Sequence, residues 1–198
     1  MWFYEENCFQ HESELRAVTD LLTKTYNAPL SVILEIGTYR GGTAVWWAQL
    51  AKKKVVCVDL EFSPGGIVPS HRREHPFTIC PVTEIRGDSS NPETVKRAQE
   101  ALSGEMIDLL YIDGDHYYGP CRMDFRLYAP LVRPGGWILF HDIVNENSQT
   151  KIFWDEIKDK YVSYEFVFQR QPIPYKKTNR DTSEPIGLGL IRWWGIFE

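Results

Sequence analysis

SVILEIGTYRGG, residues 31–42, is the stretch that decides the fold of this chain. Residues 32–34 are three branched apolar residues in a row, which is typical of a strand buried on both faces of a parallel sheet. Glu35 interrupts the run near the carboxyl end of the strand, the edge at which open α/β sheets bind their ligands. The pattern predicts a strand over Val32–Ile36, then a tight turn, and then a helix over residues 43–52.

The glycines of this turn indicate a binding loop. A strand, a glycine turn and a helix together place backbone N–H groups and the positive end of a helix beside the strand tip. We expect glycine to be needed because a Cβ would hold a ligand away from the backbone, although glycines also occur in βαβ turns that bind nothing. The spacing E-x-G-x-x-x-G-G is not the G-x-G-x-x-G of dinucleotide enzymes. The candidate cofactor-binding residues of this segment are Glu35, Gly37, Thr38, Tyr39, Gly41 and Gly42.

The composition limits the class of protein. The 198 residues, of which 43 % are hydrophobic, suit a single domain over residues 1–198, with residues 1–30 as its N-terminal helical segment. The net charge of −5 argues against a general affinity for nucleic acid or for an anionic membrane. The four cysteines form no C-x-x-C pair, and no stretch resembles a signal peptide or a membrane span. We therefore expect a cytoplasmic protein without a nucleic-acid or membrane partner.

Further apolar runs that end in polar residues predict more strands. These strands are expected at residues 54–60, 83–86, 106–112, 137–140, 164–169 and 186–193, with a turn at 133–136. Helical spacing predicts helices at residues 11–26, 94–102, 118–129 and 152–161. The order of these elements predicts an α/β fold of the doubly wound, Rossmann-like kind. Its sheet should be mostly parallel and end in a C-terminal antiparallel hairpin.

Acidic residues at the ends of the second and third predicted strands are candidates for binding the nucleoside of a cofactor. Asp59 is a carboxylate level with the glycine turn, where it can accept both hydroxyls of a ribose. A solvated loop acid would fit the same position. Asp88 and Ser89 could bond an adenine edge or cap the helix that follows, and Ser90 or Asn91 could also serve as that cap.

Polar side chains also follow the strands predicted at residues 106–112 and 137–140. Asp113, Asp115 and His116 come after the first of these strands, and His141 and Asp142 come after the second. The carboxyl ends of central parallel strands meet at one edge of a sheet. We therefore expect these five side chains to lie close to one another and to the glycine turn.

Three motifs occur in order: the glycine turn, YIDGDHYY at residues 111–118 and LVRPGGWILFHD at residues 131–142. The turn resembles motif I of class I S-adenosylmethionine (SAM) methyltransferases. Over about residues 30–145 the chain resembles the family that includes macrolide-sugar and rhamnosyl O-methyltransferases and the cephalosporin-hydroxylase group. The resemblance implies the strand order 3-2-1-4-5-7-6, SAM as cofactor with Asp113 among its contacts, and O-methylation of a sugar or small polyol.

The resemblance also implies a divalent metal. Asp113 and Asp142 would be ligands of Mg²⁺, which prefers carboxylate oxygens, and the metal would lower the pKa of the acceptor hydroxyl. His116 matches the general base of the sugar enzymes. His141 stands where those enzymes have Glu, so it could ligate Mn²⁺, act as a second catalytic base or only orient Asp142. The candidate metal ligands are thus Asp113, His141 and Asp142, and the candidate catalytic residues are His116 and His141.

Other functions stay open at this point. A non-catalytic SAM- or adenosine-binding module would need the same cofactor site. A nicotinamide-dependent oxidoreductase would suit Asp59 but lacks G-x-G-x-x-G, and no (N/D)PP(Y/F) motif of N-methyltransferases ends the fourth strand. Residues 1–30, 61–76 and 170–185 are left to shape an acceptor pocket. Whether the acceptor is a small molecule or a glycan, and whether the chain forms homo-oligomers, is not determined by the sequence.

Overall fold

The structure is a computed structural model that describes residue 8 and residues 10–28, 30–62, 80–168 and 185–195. The segments at 61–76 and 170–185, which are candidates for shaping an acceptor pocket, fall almost entirely outside these ranges. Residues 1–7 of the N-terminal segment also lie outside them. Within the described ranges, every helix is too short or too polar to cross a membrane.

Seven strands form one sheet. They are β1 (Val32–Ile36), β2 (Lys54–Asp59), β3 (Val82–Arg86), β4 (Ile107–Ile112), β5 (Val132–His141), β6 (Ser163–Phe166) and β7 (Leu188–Trp193). Their order is β3-β2-β1-β4-β5-β7-β6. The first five strands run parallel, whereas β7 is antiparallel to both β5 and β6. The predicted strand order and the C-terminal antiparallel hairpin are both confirmed.

The helices of the described residues connect these strands. They are α1 (Glu12–Asp20), α2 (Gly42–Leu50), α3 (Pro92–Leu102), α4 (Tyr118–Tyr128) and α5 (Thr150–Ile157). The helix predicted over residues 11–26 has two parts, because α1 continues into a π-helical turn over Leu21–Thr25. Short 3₁₀ turns over Ala129–Leu131 and Lys158–Lys160 likewise extend α4 and α5.

The sheet is buried on both faces, as the apolar run of residues 32–34 predicts. Because side chains of a strand alternate between faces, Leu34 packs in one core cluster and Ile33 in the other. Phe125 of α4 belongs to the first cluster, and Trp46 of α2 belongs to the second. Each large side chain that is fully buried contributes about 1.5–3 kcal/mol to folding. The strand tips are therefore held by two packed layers.

The prediction of a turn at residues 133–136 is wrong. β5 begins at Val132, and its register against β4 shifts between Ile107 and Leu109, so the residues before Trp137 form a bulge. Gly135 accommodates the bulge with a φ of +77°. Proline and glycine mark bulged strands as well as turns, which is why the sequence pattern was ambiguous here.

The ends of other elements also differ from the prediction. β6 ends at Phe166, whereas the sequence predicts a strand to residue 169, which lies outside the described residues. α3 begins at Pro92 and not at residue 94, since Asn91 caps it by accepting a hydrogen bond from the N–H of Glu93 at 2.9 Å. Of the candidate caps, the structure therefore selects Asn91.

The register brings the carboxyl ends of the central strands side by side. Ile36 of β1 pairs with Ile112 of β4, and Ile112 pairs with Phe140 of β5. The residues that follow these three are Gly37, Asp113 and His141. The polar groups at the strand ends therefore adjoin in space.

Candidate active site

The glycine turn packs directly against the end of β4. Gly37 has a φ of +81°, and its N–H donates to the carbonyl oxygen of Val58 at 2.9 Å. A Cβ on Gly37 would overlap the backbone carbonyl of Asp113 and would lie 2.6 Å from the nitrogen of Gly114. The expected reason for glycine is therefore corrected at this position. The backbone of β4 excludes a Cβ here, whether or not a ligand approaches.

The rest of the turn leads into α2. Gly41 has a φ of +83°, donates its N–H to the carbonyl oxygen of Thr38 at 2.8 Å and occupies the N-cap of α2. Gly42 is the first residue of the helix and is buried. Tyr39 also has a positive φ and is 47 % exposed, with the guanidinium of Arg40 5.2 Å from its ring centroid. Tyr39 and Arg40 are thus the exposed residues of the turn.

Asp59 holds the turn from the end of β2. Its Oδ2 accepts hydrogen bonds from the N–H groups of Thr38 at 2.6 Å and Tyr39 at 2.7 Å. Its Oδ1 accepts a hydrogen bond from the N–H of Glu61 at 3.0 Å. The carboxylate therefore lies level with the turn, as expected for a ribose-binding residue. In this conformation its oxygens bond backbone N–H groups, which a ribose would have to share or replace.

Glu35 lies beneath the turn and not on its surface. Its side chain is fully buried and accepts hydrogen bonds from the hydroxyl of Thr43 and, at 3.3 Å, from that of Thr38. Burial raises the pKa of Glu35 to about 8, and the bond from Thr43 offsets only part of this rise. The carboxyl is therefore protonated at neutral pH. Its contacts tie both ends of the turn together from within.

Asp88 and Ser89 lie at the end of β3 without capping α3. Asp88 is exposed, and its Oδ1 accepts hydrogen bonds from the N–H of Ser90 at 2.8 Å and its hydroxyl at 2.7 Å. These bonds lower the pKa of Asp88. The carbonyl oxygen of Ser89 accepts a hydrogen bond from Tyr128 at 3.0 Å. The alternative role of both residues, contact with adenine, stays a prediction.

Two carboxylates and two imidazoles meet at the ends of β4 and β5. His116 lies between the carboxylates, with Nε2 3.2 Å from Oδ1 of Asp113 and Nδ1 2.8 Å from Oδ2 of Asp142. Nδ1 of His141 lies 2.9 Å from Oδ1 of Asp113 and 3.4 Å from Oδ1 of Asp142. Four of the five residues that the sequence places after these strands are thus brought together. The fifth, Asp115, is exposed and accepts a hydrogen bond from the N–H of Tyr117 at 3.1 Å.

The charges of this cluster shift its pKa values. The hydrogen bonds of His116 to Asp113 and Asp142 raise its pKa from 6.5 to about 10, against the opposing effect of burial. Burial alone would raise the pKa of Asp113, but His141 and His116 outweigh it and hold that pKa at about 2. For His141 burial favours the neutral ring, yet Asp113 outweighs it and raises the pKa. At neutral pH, His116 is therefore protonated in this arrangement.

The donor set fits a divalent cation. One ligand atom each from Asp113, His116 and His141 lies within 4.8 Å of the others. Nε2 of His141 is buried and has no hydrogen-bond partner among the described residues. Imidazole nitrogen beside carboxylate oxygen suits Mn²⁺ and other transition ions better than Mg²⁺. The trio contains His116 in place of the predicted ligand Asp142.

Asp142 is held close to that trio by an unusual backbone. Its φ is +61°, a left-handed conformation that aspartate adopts more readily than most residues. The side chain is buried, and Oδ2 accepts a hydrogen bond from Asn145 at 3.2 Å in addition to its contact with His116. Strained residues of this kind are concentrated at functional sites.

A small cleft opens to solvent beside the turn and Asp113. Its lining residues are Cys8, Gln10, Gly37, Thr38, Tyr39, Thr43 and Asp113. The sequence patterns miss Cys8 and Gln10, which come from the N-terminal segment, and they miss Glu14, which Gln10 contacts. The one signal available was a glutamate next to Leu15 on the apolar side of α1, where a charge is out of place.

The strand order with its antiparallel β7, and a glycine turn facing an acidic strand end, define the class I methyltransferase fold. The model of the Methyltransf_24 family, a methyltransferase domain, matches residues 34–143. The chain therefore belongs to this family of SAM-dependent methyltransferases. The matched region includes the glycine turn, Asp59 and the cluster at the ends of β4 and β5. Membership confirms the resemblance and favours methyl transfer over nicotinamide chemistry.

Two relatives show how far the similarity extends. The uncharacterized protein R132 of Acanthamoeba polyphaga mimivirus is 29 % identical over 181 residues, covering 83 % of this chain and 78 % of R132. The rhamnosyl O-methyltransferase of Mycobacterium tuberculosis (strain H37Rv) is 26 % identical over 141 residues. That match covers 69 % of this chain and 54 % of the enzyme. The chain thus spans about half the length of the rhamnosyl enzyme.

Solved structures share the fold at low sequence identity. The N-methyltransferase NodS of Bradyrhizobium japonicum, bound to S-adenosylhomocysteine (SAH), gives a TM-score of 0.63 at 17 % identity over 95 % of this chain and 89 % of NodS. A Bacillus cereus O-methyltransferase in complex with SAH also gives a TM-score of 0.63, at 19 % identity over 92 % of this chain and 82 % of that enzyme. The methyltransferase MycE of the mycinamycin pathway, in complex with Mg and SAH, gives a TM-score of 0.53 at 17 % identity. That match covers 89 % of this chain and 48 % of MycE. The fold therefore does not distinguish N- from O-methylation.

Proposed function

We propose that this chain transfers the methyl group of SAM to a hydroxyl of a sugar or small polyol, assisted by a divalent cation. The observation that carries the proposal is the position of His116 between Asp113 and Asp142, beside the cleft at the glycine turn. A proton acceptor, two carboxylates and a cofactor cleft therefore adjoin. The similarity to rhamnosyl O-methyltransferases supports a hydroxyl as the acceptor.

In this proposal the turn and the strand ends hold SAM. Asp59 bonds the ribose hydroxyls, since its carboxylate lies level with the turn at the end of β2 and accepts hydrogen bonds only. Asp88 and Ser89, at the end of the neighbouring strand, contact the adenine. The methionine half then lies in the cleft between the turn and Asp113. Glu35 contributes indirectly, because it fixes the turn from below.

The residues that would hold the cation are Asp113, His141 and Asp142, and His116 lies beside them. When bound there, a divalent cation supplies positive charge that lowers the pKa of the acceptor hydroxyl. The imidazole of His141 favours Mn²⁺ or a similar ion over Mg²⁺ in this chain. The buried Nε2 of His141 supports this assignment, because a cation would give it the partner that the described residues lack.

His116 acts as the base once its carboxylate partners are engaged elsewhere. A protonated imidazole accepts no proton, and contact with Asp113 and Asp142 keeps His116 protonated up to a pKa of about 10. With both carboxylates turned to a cation, His116 would lose these contacts, and its pKa would fall toward the ordinary value near 6.5. Neutral His116 can then take the hydroxyl proton. The acceptor oxygen bonds the methyl carbon while the C–S bond breaks and leaves its electron pair on the sulfur of SAH.

The proposal is tested by methyl transfer from radiolabelled SAM to a panel of vicinal diols, rhamnosides and amines, with Mn²⁺, Mg²⁺ or EDTA. We expect methylated hydroxyls only, with the fastest transfer in Mn²⁺. His116→Asn should lower kcat by about 10²- to 10⁴-fold, the usual effect of losing a general base, and leave SAH affinity unchanged. Asp155→Asn, an exposed carboxylate paired with Lys151 on α5, is the control and should retain full activity. Methylated amines without methylated hydroxyls, or a fully active His116→Asn, would refute the proposal.

A further inference from the structure

We propose that Gln10 binds the α-ammonium group of the methionine half of SAM through its side-chain carbonyl oxygen. The inference rests on the proposed use of the cleft as the SAM site, and it adds to that site a residue of the N-terminal segment. Gln10 lies just before α1, and its side chain is only 3 % exposed. It lines the cleft together with Gly37 and Asp113.

Glu14 fixes the direction of the Gln10 amide. Nε2 of Gln10 donates to Oε2 of Glu14, one helical turn further along the chain. Glu14 is fully buried, and its Oε1 accepts a hydrogen bond from the N–H of Phe168 at 3.1 Å. Burial raises the pKa of Glu14 to about 7, and in the ionised form both of its oxygens only accept hydrogen bonds. The NH₂ of Gln10 then faces Glu14, and its carbonyl oxygen faces away.

The carbonyl oxygen of Gln10 is left without a donor. It is buried, and no group in the described part of the chain donates a hydrogen bond to it. A buried acceptor without a partner is destabilising, and nearly all such groups in folded proteins find one. Since Gln10 lines the cleft, a ligand with a suitable N–H would supply this partner.

The charges around the cleft select a cationic donor. Asp113 places a carboxyl group in the lining of the cleft, next to Gly37 and Gln10. None of the seven described residues that line the cleft is lysine or arginine. A carboxylate would therefore find no cationic side chain in this lining, whereas an ammonium group would find two acceptors, Asp113 and the oxygen of Gln10. On SAM, the positively charged hydrogen-bond donor is the α-ammonium group.

Calorimetric titration of the full chain separates this contact from a structural role. The two ligands are SAH and an SAH analogue with hydrogen in place of the α-amino group. Gln10→Leu should weaken SAH binding about 10- to 100-fold, the effect of losing one hydrogen bond to a charged group. The affinity of Gln10→Leu for the analogue should fall by less than about twofold. Gln49→Leu is the matched control, because Gln49 lies on α2 outside the cleft lining and donates to the carbonyl oxygen of Val45 at 3.2 Å.

Each outcome decides between the two proposals. Wild-type protein that binds neither ligand overturns the use of the cleft for SAM. Wild-type protein that binds SAH, with an equal loss for both ligands or no loss in Gln10→Leu, overturns the role of Gln10 alone. Gln10→Met replaces the leucine variant if that variant unfolds early. Glu14→Gln should give a partial loss of SAH affinity only, since an amide at residue 14 lets Gln10 turn around.

Discussion

Replacing Gly37 with alanine tests whether the contact between the glycine turn and β4 holds the strand ends together. A left-handed φ of +81° costs an alanine about 1–2 kcal/mol. The new Cβ would overlap the backbone of Asp113, which cannot rotate away as a side chain can. Overpacking of this kind adds about 1–3 kcal/mol. We therefore expect Gly37→Ala to lower the free energy of unfolding by about 2–5 kcal/mol, out of about 5–15 kcal/mol for a typical domain.

Gly104→Ala is the matched control for this experiment. Gly104 has nearly the same φ, +79°, but a Cβ there would meet nothing within 4 Å. Its substitution should therefore lower the free energy of unfolding only by the cost of a left-handed φ, about 1–2 kcal/mol. The assay is urea unfolding followed by the fluorescence of the seven tryptophans, with the midpoint and m-value compared between variants. If Gly37→Ala loses no more stability than Gly104→Ala, the contact with β4 does not explain the glycine.

Three further predictions concern the titrating and cation-binding groups. Because Glu35 keeps its proton to a pKa of about 8 in the fold but to about 4.5 when unfolded, its contribution to stability falls between these pH values. Glu35→Gln should therefore gain stability over wild type from pH 5 to pH 8 in urea titrations, and a constant difference would contradict this. Asp142→Asn should abolish the rise of Tm in Mn²⁺ and keep SAH affinity, whereas Asp155→Asn should preserve both; loss of SAH affinity would place Asp142 in the cofactor pocket. In EDTA the His116 ring should titrate near pH 10 by NMR, and a midpoint near 6.5 would show that the carboxylates do not hold it.

The strands that the sequence predicts well are those buried on both faces. β1, β2 and β4 lie within about one residue of the predicted bounds, because burial on both sides leaves a continuous apolar run. The start of β5 was missed, since Pro134 and Gly135 are equally compatible with a turn and a bulge. Only the pairing with β4 decides between them. Local patterns therefore define strands better than they define where strands begin.

The candidate site likewise contains some residues that the sequence predicts and some that it does not. The residues at the ends of β4 and β5 could be predicted, because a parallel sheet gathers its carboxyl ends whatever the details of packing. Gln10 and Glu14 could not be predicted as part of the site. Their place beside the cleft depends on the docking of α1 against a strand end about 150 residues away, where Glu14 accepts the N–H of Phe168. No local pattern records such a contact.

The sequence by itself determined the order of strands and helices, the glycine turn after β1 and the acids and histidines at the ends of β4 and β5. These features follow from periodicity and from chemistry that neighbouring residues share. The tertiary structure alone decided that Gly37 faces the backbone of Asp113, that Glu35 is protonated and that His116 is positively charged. Steric exclusion, burial and charge act through space, so these properties depend on residues that are far apart in the chain and meet only in the fold.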